Sequence, residues 1–312
     1  MLSWLPGSIL RSVFESGIFL MISIGLTLTL SVVKLPNFAH AEFLTIGAYT
    51  SLVLSQVVPN NIPIILLASF LTAAILALAV HNAVFKPLIA RKSSAYILVL
   101  ASFAAAQFIR YTVFIAGSLG GVLSAHPLIA VTPVVYIAGQ ALTNVYLTTL
   151  IVAIASTILL SLFFRYTLIG KCMRAVSSNT VLAQLSGIRI EYIVSVMWII
   201  AGGLGGVGGA LLSPYVTVTP ALGFNLLLEI FAVVIFGGLT SFVGTIIGSL
   251  IMGFSENTLM DFLNIYFGVP YTYTQLIPFS LIIIVLLVKP TGFGVSYSAN
   301  RALRRLIGVR TR

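Results

Sequence analysis

The chain has 312 residues, of which 59% are apolar and 7% charged. Soluble domains carry about 25% charged residues, so this composition excludes an ordinary soluble fold and leaves room for many membrane spans of about 20 residues each. The net charge of +10 does not point to nucleic acid, because the basic residues sit in short intervals between apolar runs and in the tail. One cysteine, Cys172, excludes an internal disulfide and a multi-cysteine metal site.

In chain order, residues 1–17 carry Arg11 and Glu15 and show no small-x-small cleavage pattern, so they are expected to be retained. A first span is expected over about 15–33, stopped by Lys34 and Pro36. The next apolar run, 43–58, is short for a full crossing and reads as a short, tilted or re-entrant helix. Spans three and four are expected over about 62–85 and 95–116, with the basic, turn-prone interval 86–94 between them. The interval 117–144 holds glycines and prolines and no Asp, Glu, Lys or Arg. Further spans are expected over about 145–164, 192–212, 224–237, 242–261 and 273–288, and the tail 289–312 is basic. The expected fold is all-α, a polytopic membrane protein with eight or nine transmembrane helices in one transmembrane domain covering 1–312.

Nine crossings put the C terminus and fourteen of the sixteen basic residues on the same side. Lys and Arg are retained in the cytoplasm, so the tail and the intervals around Lys86 and Lys171 are expected to be cytoplasmic, in a cell membrane. Arg301, Arg304 and Arg305 of the tail suit anionic lipid headgroups. Eight crossings, with 43–58 re-entrant, would move the N terminus inside.

The longest clearly polar interval runs over 165–190 and carries Arg165, Lys171, Arg174 and Arg189 without an acid. Asn179 is placed to cap a short helix, with Val181, Leu182, Leu185 and Ile188 on one face and Gly187 able to end it. One reading is a cationic loop that only sets topology. The other is a docking element for a cytoplasmic partner.

This interval resembles the cytoplasmic loop of branched-chain amino acid ABC importer permeases. The matching residues are Gly170, Lys171, Met173, Arg174, Ala175, Val176, Asn179, Ala183, Leu185, Gly187 and Ile188. NFAHAEFLTIGAY (37–49) is similar to a second signature of that family, with Ala41 where Gly is usual. FAVVIFGGLTSFVGTIIGSLIMG (231–253) is similar to a third, with Thr240 replacing a glycine. The resemblance implies an ATP-driven importer subunit for branched-chain or other hydrophobic amino acids, working by alternating access. It implies partners: two ATPase subunits pressing on the loop, a second, related permease and an extracytoplasmic substrate-binding protein. Permeases for urea or short amides in the same family keep the substrate open.

The chain has no phosphate-cradling GxxxxGK[ST] motif. ATP and Mg are therefore expected on the partner, and no cofactor, metal or catalytic residue is expected here. Polar groups within spans are functional candidates by default. Arg110 lies about 22 Å along span four from its inner end, with Gln107 on the same face. Glu229 and Glu256 are expected at similar depth, flanking Arg110 so that the three meet a zwitterionic substrate; the alternative is that Arg110 pairs with one Glu to join two helices. Asn37, His40 and Glu42 lie at the inner end of the second run, as a gate or as a network that fixes it. His40 and Glu42 do not share a helical face, which argues against a proton relay between them. An ion-coupled secondary transporter would use membrane carboxylates such as Glu229 and Glu256. GGLGGVGG (202–209) offers Gly202, Gly205, Gly206 and Gly209 as two GxxxG pairs, expected to form a helix-packing seam.

Overall fold

In the computed structural model the described residues are 4–137, 140–289 and 292. Fourteen α-helices occur among them. In order they are α1 (Leu5–Val33), α2 (His40–Val57), α3 (Ile62–Val80), α4 (Lys86–Ala90), α5 (Ala95–Leu119), α6 (Asn144–Tyr166), α7 (Leu168–Ser178), α8 (Thr180–Leu185), α9 (Ile190–Leu212), α10 (Leu222–Asn225), α11 (Leu227–Gly237), α12 (Phe242–Phe254), α13 (Met260–Phe267) and α14 (Leu276–Val288). A π-turn, His81–Phe85, joins α3 to α4, and a second, Ser255–Leu259, joins α12 to α13. One antiparallel hairpin, β1 (Pro133–Ile137) with β2 (Gln140–Thr143), stands in the uncharged interval.

The helices begin where side chains can accept the orphan N–H groups of a first turn. Asn61, Ser94, Thr143, Thr167, Asn179 and Ser241 each cap the helix that follows. The protein is an all-α, multi-pass membrane protein. Seven helical segments among the described residues are long and apolar enough to cross a membrane: α1, Ile62–Ala90, α5, α6, α9, Phe242–Phe267 and Tyr271–Val288. Eight or nine were expected. The difference lies in α2, whose 18 residues include several polar ones, and in α11, whose 11 residues are short for a crossing.

α2, about 27 Å long at 1.5 Å per residue, is buried over most of its length, with Val53, Gln56 and Val57 exposed towards its C-terminal end. It packs with α3 and α1 around α9, so protein rather than lipid surrounds its polar side chains. α1 begins ten residues earlier than its expected span because its polar N-terminal half is covered by the far end of the chain. Asp261 accepts hydrogen bonds from Arg11 at 2.8 Å, from Tyr271 Oη at 2.8 Å and from Ser8 Oγ. Glu15 accepts one from Asn257 at 2.5 Å. The interval 165–190 holds two helices rather than one, α7 having been read as loop. Gly170, Met173 and Val176, three apart, form the buried face of α7, while Lys171 and Arg174 point outward. The basic tail beyond Lys289, with Arg301, Arg304 and Arg305, lies outside the described residues.

Candidate functional site

α9 forms the axis of the packing. A Cβ on Gly202 would meet Ala73 O at 2.8 Å, and one on Gly206 would run into Ser69 O. These two glycines let α3 approach. On another face a Cβ on Gly205 would sit 3.3 Å from Phe43 Cβ, and one on Gly209 would run into Leu44 O. These two face α2. The four glycines therefore serve two separate helix contacts.

Within this packing α2 and α5 share a charged pair. Arg110 Nη2 lies 2.5 Å and Nε 3.2 Å from Glu42 Oε1. Their side chains are 13% and 1% exposed, so the charges face each other out of solvent. Thr45 Oγ1 donates to Glu42 Oε2 at 3.2 Å and accepts from Gly223 N at 2.9 Å. The Arg110 guanidinium lies 3.9 Å from the centroid of the Phe224 ring. One ion pair thus ties α2, α5 and α10 together. Gln107, three residues before Arg110, keeps a buried side-chain oxygen without a hydrogen-bond partner.

Asn37 and His40 hold the start of α2. Asn37 Oδ1 accepts from Ala39 N at 3.1 Å, and His40 Nε2 bonds the carbonyl of Ile22 in α1 at 2.8 Å. A carbonyl only accepts, so this nitrogen carries the proton. His40 and Glu42 therefore reach different neighbours.

The expected flanking of Arg110 by Glu229 and Glu256 is corrected. Glu229 opens α11 and Glu256 lies in the second π-turn; both interact electrostatically with Glu15 of α1, and Arg110 pairs with Glu42 instead. Similar depth did not mean a shared direction around the helix axis. Among the described residues none of these three carboxylates takes part in an ion pair. Sequence reasoning missed Glu15 as a member of this group, although its position inside a helical apolar stretch was a signal. Thr45 and Phe224 were also missed; Thr45 lies within the 37–49 stretch, one helical turn after Glu42, whereas nothing in the local sequence marks Phe224.

At the other end of the bundle α7 and α8 pack together as a pair of short helices. Met173 and Val176 are buried, and α7 packs against α1, α6 and α9. Ser177 Oγ donates to Ser31 O of α1 at 2.8 Å, and Gly170 passes so close to Phe163 O that a Cβ has no room. Arg174 donates to the carbonyl of Phe164. Asn179 Oδ1 accepts from Leu182 N at 3.0 Å, and Gly187 takes φ +81° after α8. Val181, Leu182 and Leu185 are 67%, 60% and 79% exposed. Ile188, expected on their face, is instead half-buried against the core.

The chain matches the family model described as "Branched-chain amino acid transport system / permease component" over residues 8–286. It is 30% identical over 304 residues to the "Probable branched-chain amino acid transport permease protein LivH" of Methanocaldococcus jannaschii, covering 95% of this chain and 94% of that one. It is 27% identical over 290 residues to the "High-affinity branched-chain amino acid transport system permease protein LivH" of Salmonella typhimurium, covering 88% and 90%. A solved chain, "PsaBC from Streptococcus pneumoniae in complex with Fab", is similar at a TM-score of 0.50 and 14% identity, covering 91% of this chain and 92% of that one; at that identity the likeness is one of fold. With segments suited to seven crossings, the match over most of its length and relatives that are permease subunits, the chain belongs to the permease-component family of branched-chain amino acid transport systems.

Proposed function

We propose that this chain is the membrane subunit of an importer that moves branched-chain or other hydrophobic amino acids by alternating access. ATP and Mg are held by two partner ATPase subunits. A second, related permease and an extracytoplasmic binding protein complete the assembly, and the C terminus lies in the cytoplasm. The observation that carries this reading is the exposed trio Val181, Leu182 and Leu185 on α8. An exposed apolar helix face beside a basic, cytoplasm-facing segment suits a groove on a soluble partner. The inner face of α7, held against α1 and α9, gives a push on α8 a rigid route into the bundle.

For the path, the Glu42–Arg110 pair presents an anion and a cation on facing helices. An amino acid carries the complementary pair: its carboxylate suits Arg110 and its ammonium suits Glu42. Both side chains are taken up by each other here, so a substrate would exchange with the pair. A second reading, ion-coupled transport, is favoured by Glu15, Glu229 and Glu256, three membrane carboxylates outside any ion pair among the described residues. Uptake of labelled leucine separates the two. The ATP-driven reading expects uptake to stop when the ATPase subunits are inactivated and to persist when the proton and sodium gradients are collapsed; the reverse result overturns it.

A further inference from the structure

The segment 122–130, between α5 and β1, lies at the end of the bundle opposite α7 and α8, which sit at the start of α9 whereas this segment pairs with the turn after it. Bonds from three neighbours strap it down, one of them α6, whose first residue Asn144 donates from Nδ2 to Ala130 O at 2.8 Å. From α2 and the turn after it, Tyr49 Oη donates to Leu123 O at 2.8 Å, Ser55 Oγ accepts from Leu128 N at 2.9 Å and Asn60 Oδ1 accepts from Ala130 N at 2.7 Å. From the turn after α9, Val218 and Ala125 exchange backbone bonds of 2.9 and 3.4 Å, and Thr217 Oγ1 lies 3.1 Å from His126 Nε2. Most of the strap's own side chains are exposed or half-buried. Hydrogen bonds hold it alongside partial packing of Val122, Ala125 and Ile129 on the core, and a segment with few fully buried side chains is of the kind that opens locally. Gly121, at φ +68° with open space beside it, gives the strap a turn at its root.

Beneath it lies a row of polar side chains on α2. Tyr49, Thr45 and Glu42 are four and three residues apart and share one face of α2. Tyr49 holds the strap, Thr45 bonds Glu42, and Glu42 bonds Arg110. The strap therefore closes the end of the α2 face that carries the ion pair, about 10 Å away along the helix.

We propose that residues 122–130 are the outer gate of this permease, which must lift from α2, from the start of α6 and from the turn after α9 for substrate to reach the Glu42–Arg110 pair. The inference rests on the importer reading. Two disulfide locks test it in the full assembly in cells. Ala125→Cys with Val218→Cys uses a hydrogen-bonded antiparallel pair, whose Cα atoms lie about 5.5 Å apart, inside the disulfide range of about 4.4–6.8 Å. Ser55→Cys with Leu128→Cys ties the strap to α2. Cys172 stays in place at the opposite end of the bundle, and the single-cysteine variants serve as controls. Oxidation of either double variant is expected to lower the initial rate of leucine uptake at least about ten-fold, because a gate that cannot open holds back substrate entry, and reduction is expected to restore it. Complete cross-linking with uptake equal to the controls in both locks would overturn the gate. A substrate-independent measurement stands beside this: the rate at which a membrane-impermeant thiol reagent labels Ser55→Cys. Tyr49→Phe removes one bond to the strap, so labelling should rise about five-fold, the population change that accompanies the loss of one ordinary hydrogen bond. An unchanged rate counts against the gate. Controls that take up no leucine, together with faster labelling in Tyr49→Phe, would instead overturn the importer reading and leave the gate standing.

Discussion

Arg110 of α5 and Glu42 of α2 meet at 2.5 Å with side chains 13% and 1% exposed, although 68 positions separate them in the chain. A buried charge without its partner costs about 3–5 kcal/mol, whereas replacing both members with neutral groups is often close to neutral. Glu42→Gln or Arg110→Met alone should therefore lower stability in detergent by about that amount, and the double variant should recover most of it. If the pair also takes substrate, leucine uptake stays lost in the double variant. Thermal unfolding and uptake, measured on all three, separate the two roles: recovery of both would reduce the pair to a helix tie.

The seam on α9 makes a second distinction. A methyl on Gly205 meets a side-chain carbon at 3.3 Å, but a methyl on Gly206 meets the backbone carbonyl of Ser69, which moves only with α3. Gly206→Ala should damage folding far more than Gly205→Ala, and Gly205→Leu should be damaging because Leu holds α2 away. Yield of monodisperse protein after detergent extraction checks the order. Equal yields for the two Ala variants would show that α3 and α9 are not in contact at this point.

Asp261 ties the start of α1 to α13 and to the first turn before α14. It is 4% exposed and accepts from Ser8, Arg11 and Tyr271. Asp261→Ala strands the buried Ser8 hydroxyl, at a cost of about 1–3 kcal/mol, while the exposed Arg11 and Tyr271 can turn to other partners. Tyr271→Phe removes a donor at the rim and should be milder. Detergent melting temperatures that put Tyr271→Phe below Asp261→Ala would contradict this network.

The purified chain alone should hydrolyse no ATP, because it carries no phosphate-cradling loop. Turnover by rigorously purified chain would contradict a division of labour with partner ATPases.

Much of the fold was legible because the spans are long, apolar and bounded by charged or turn-forming residues: Lys34 ends α1, and Ser94 caps α5. What remained hidden was direction around each helix axis. Depth along span four could be counted for Arg110, but its partner is set by which way α2 faces, and that follows from α9 accepting two neighbours at once through its glycines. α7 was hidden for another reason. Lys171 and Arg174 make it look like a loop, while the spacing of Gly170, Met173 and Val176 carried the helix. The hairpin β1–β2 is short and free of charge and left no period long enough to read. The α8 trio, by contrast, could be read directly, since Asn179 and Gly187 bracket it.

In the proposed importer, force enters through α8 by apolar contact. A buried aliphatic anchor contributes about 1.5–3 kcal/mol, while an exposed ion pair contributes about 0–1 kcal/mol. The most direct measurement is leucine-stimulated ATP hydrolysis, with ATPase co-purification, for Leu182→Asp, Leu185→Asp and Lys171→Ala. Both Asp variants should fold and insert but lose the stimulation or release the ATPase, and Lys171→Ala should be mild. Normal stimulation in both Asp variants with severe loss in Lys171→Ala would contradict it and leave the segment as a topology signal.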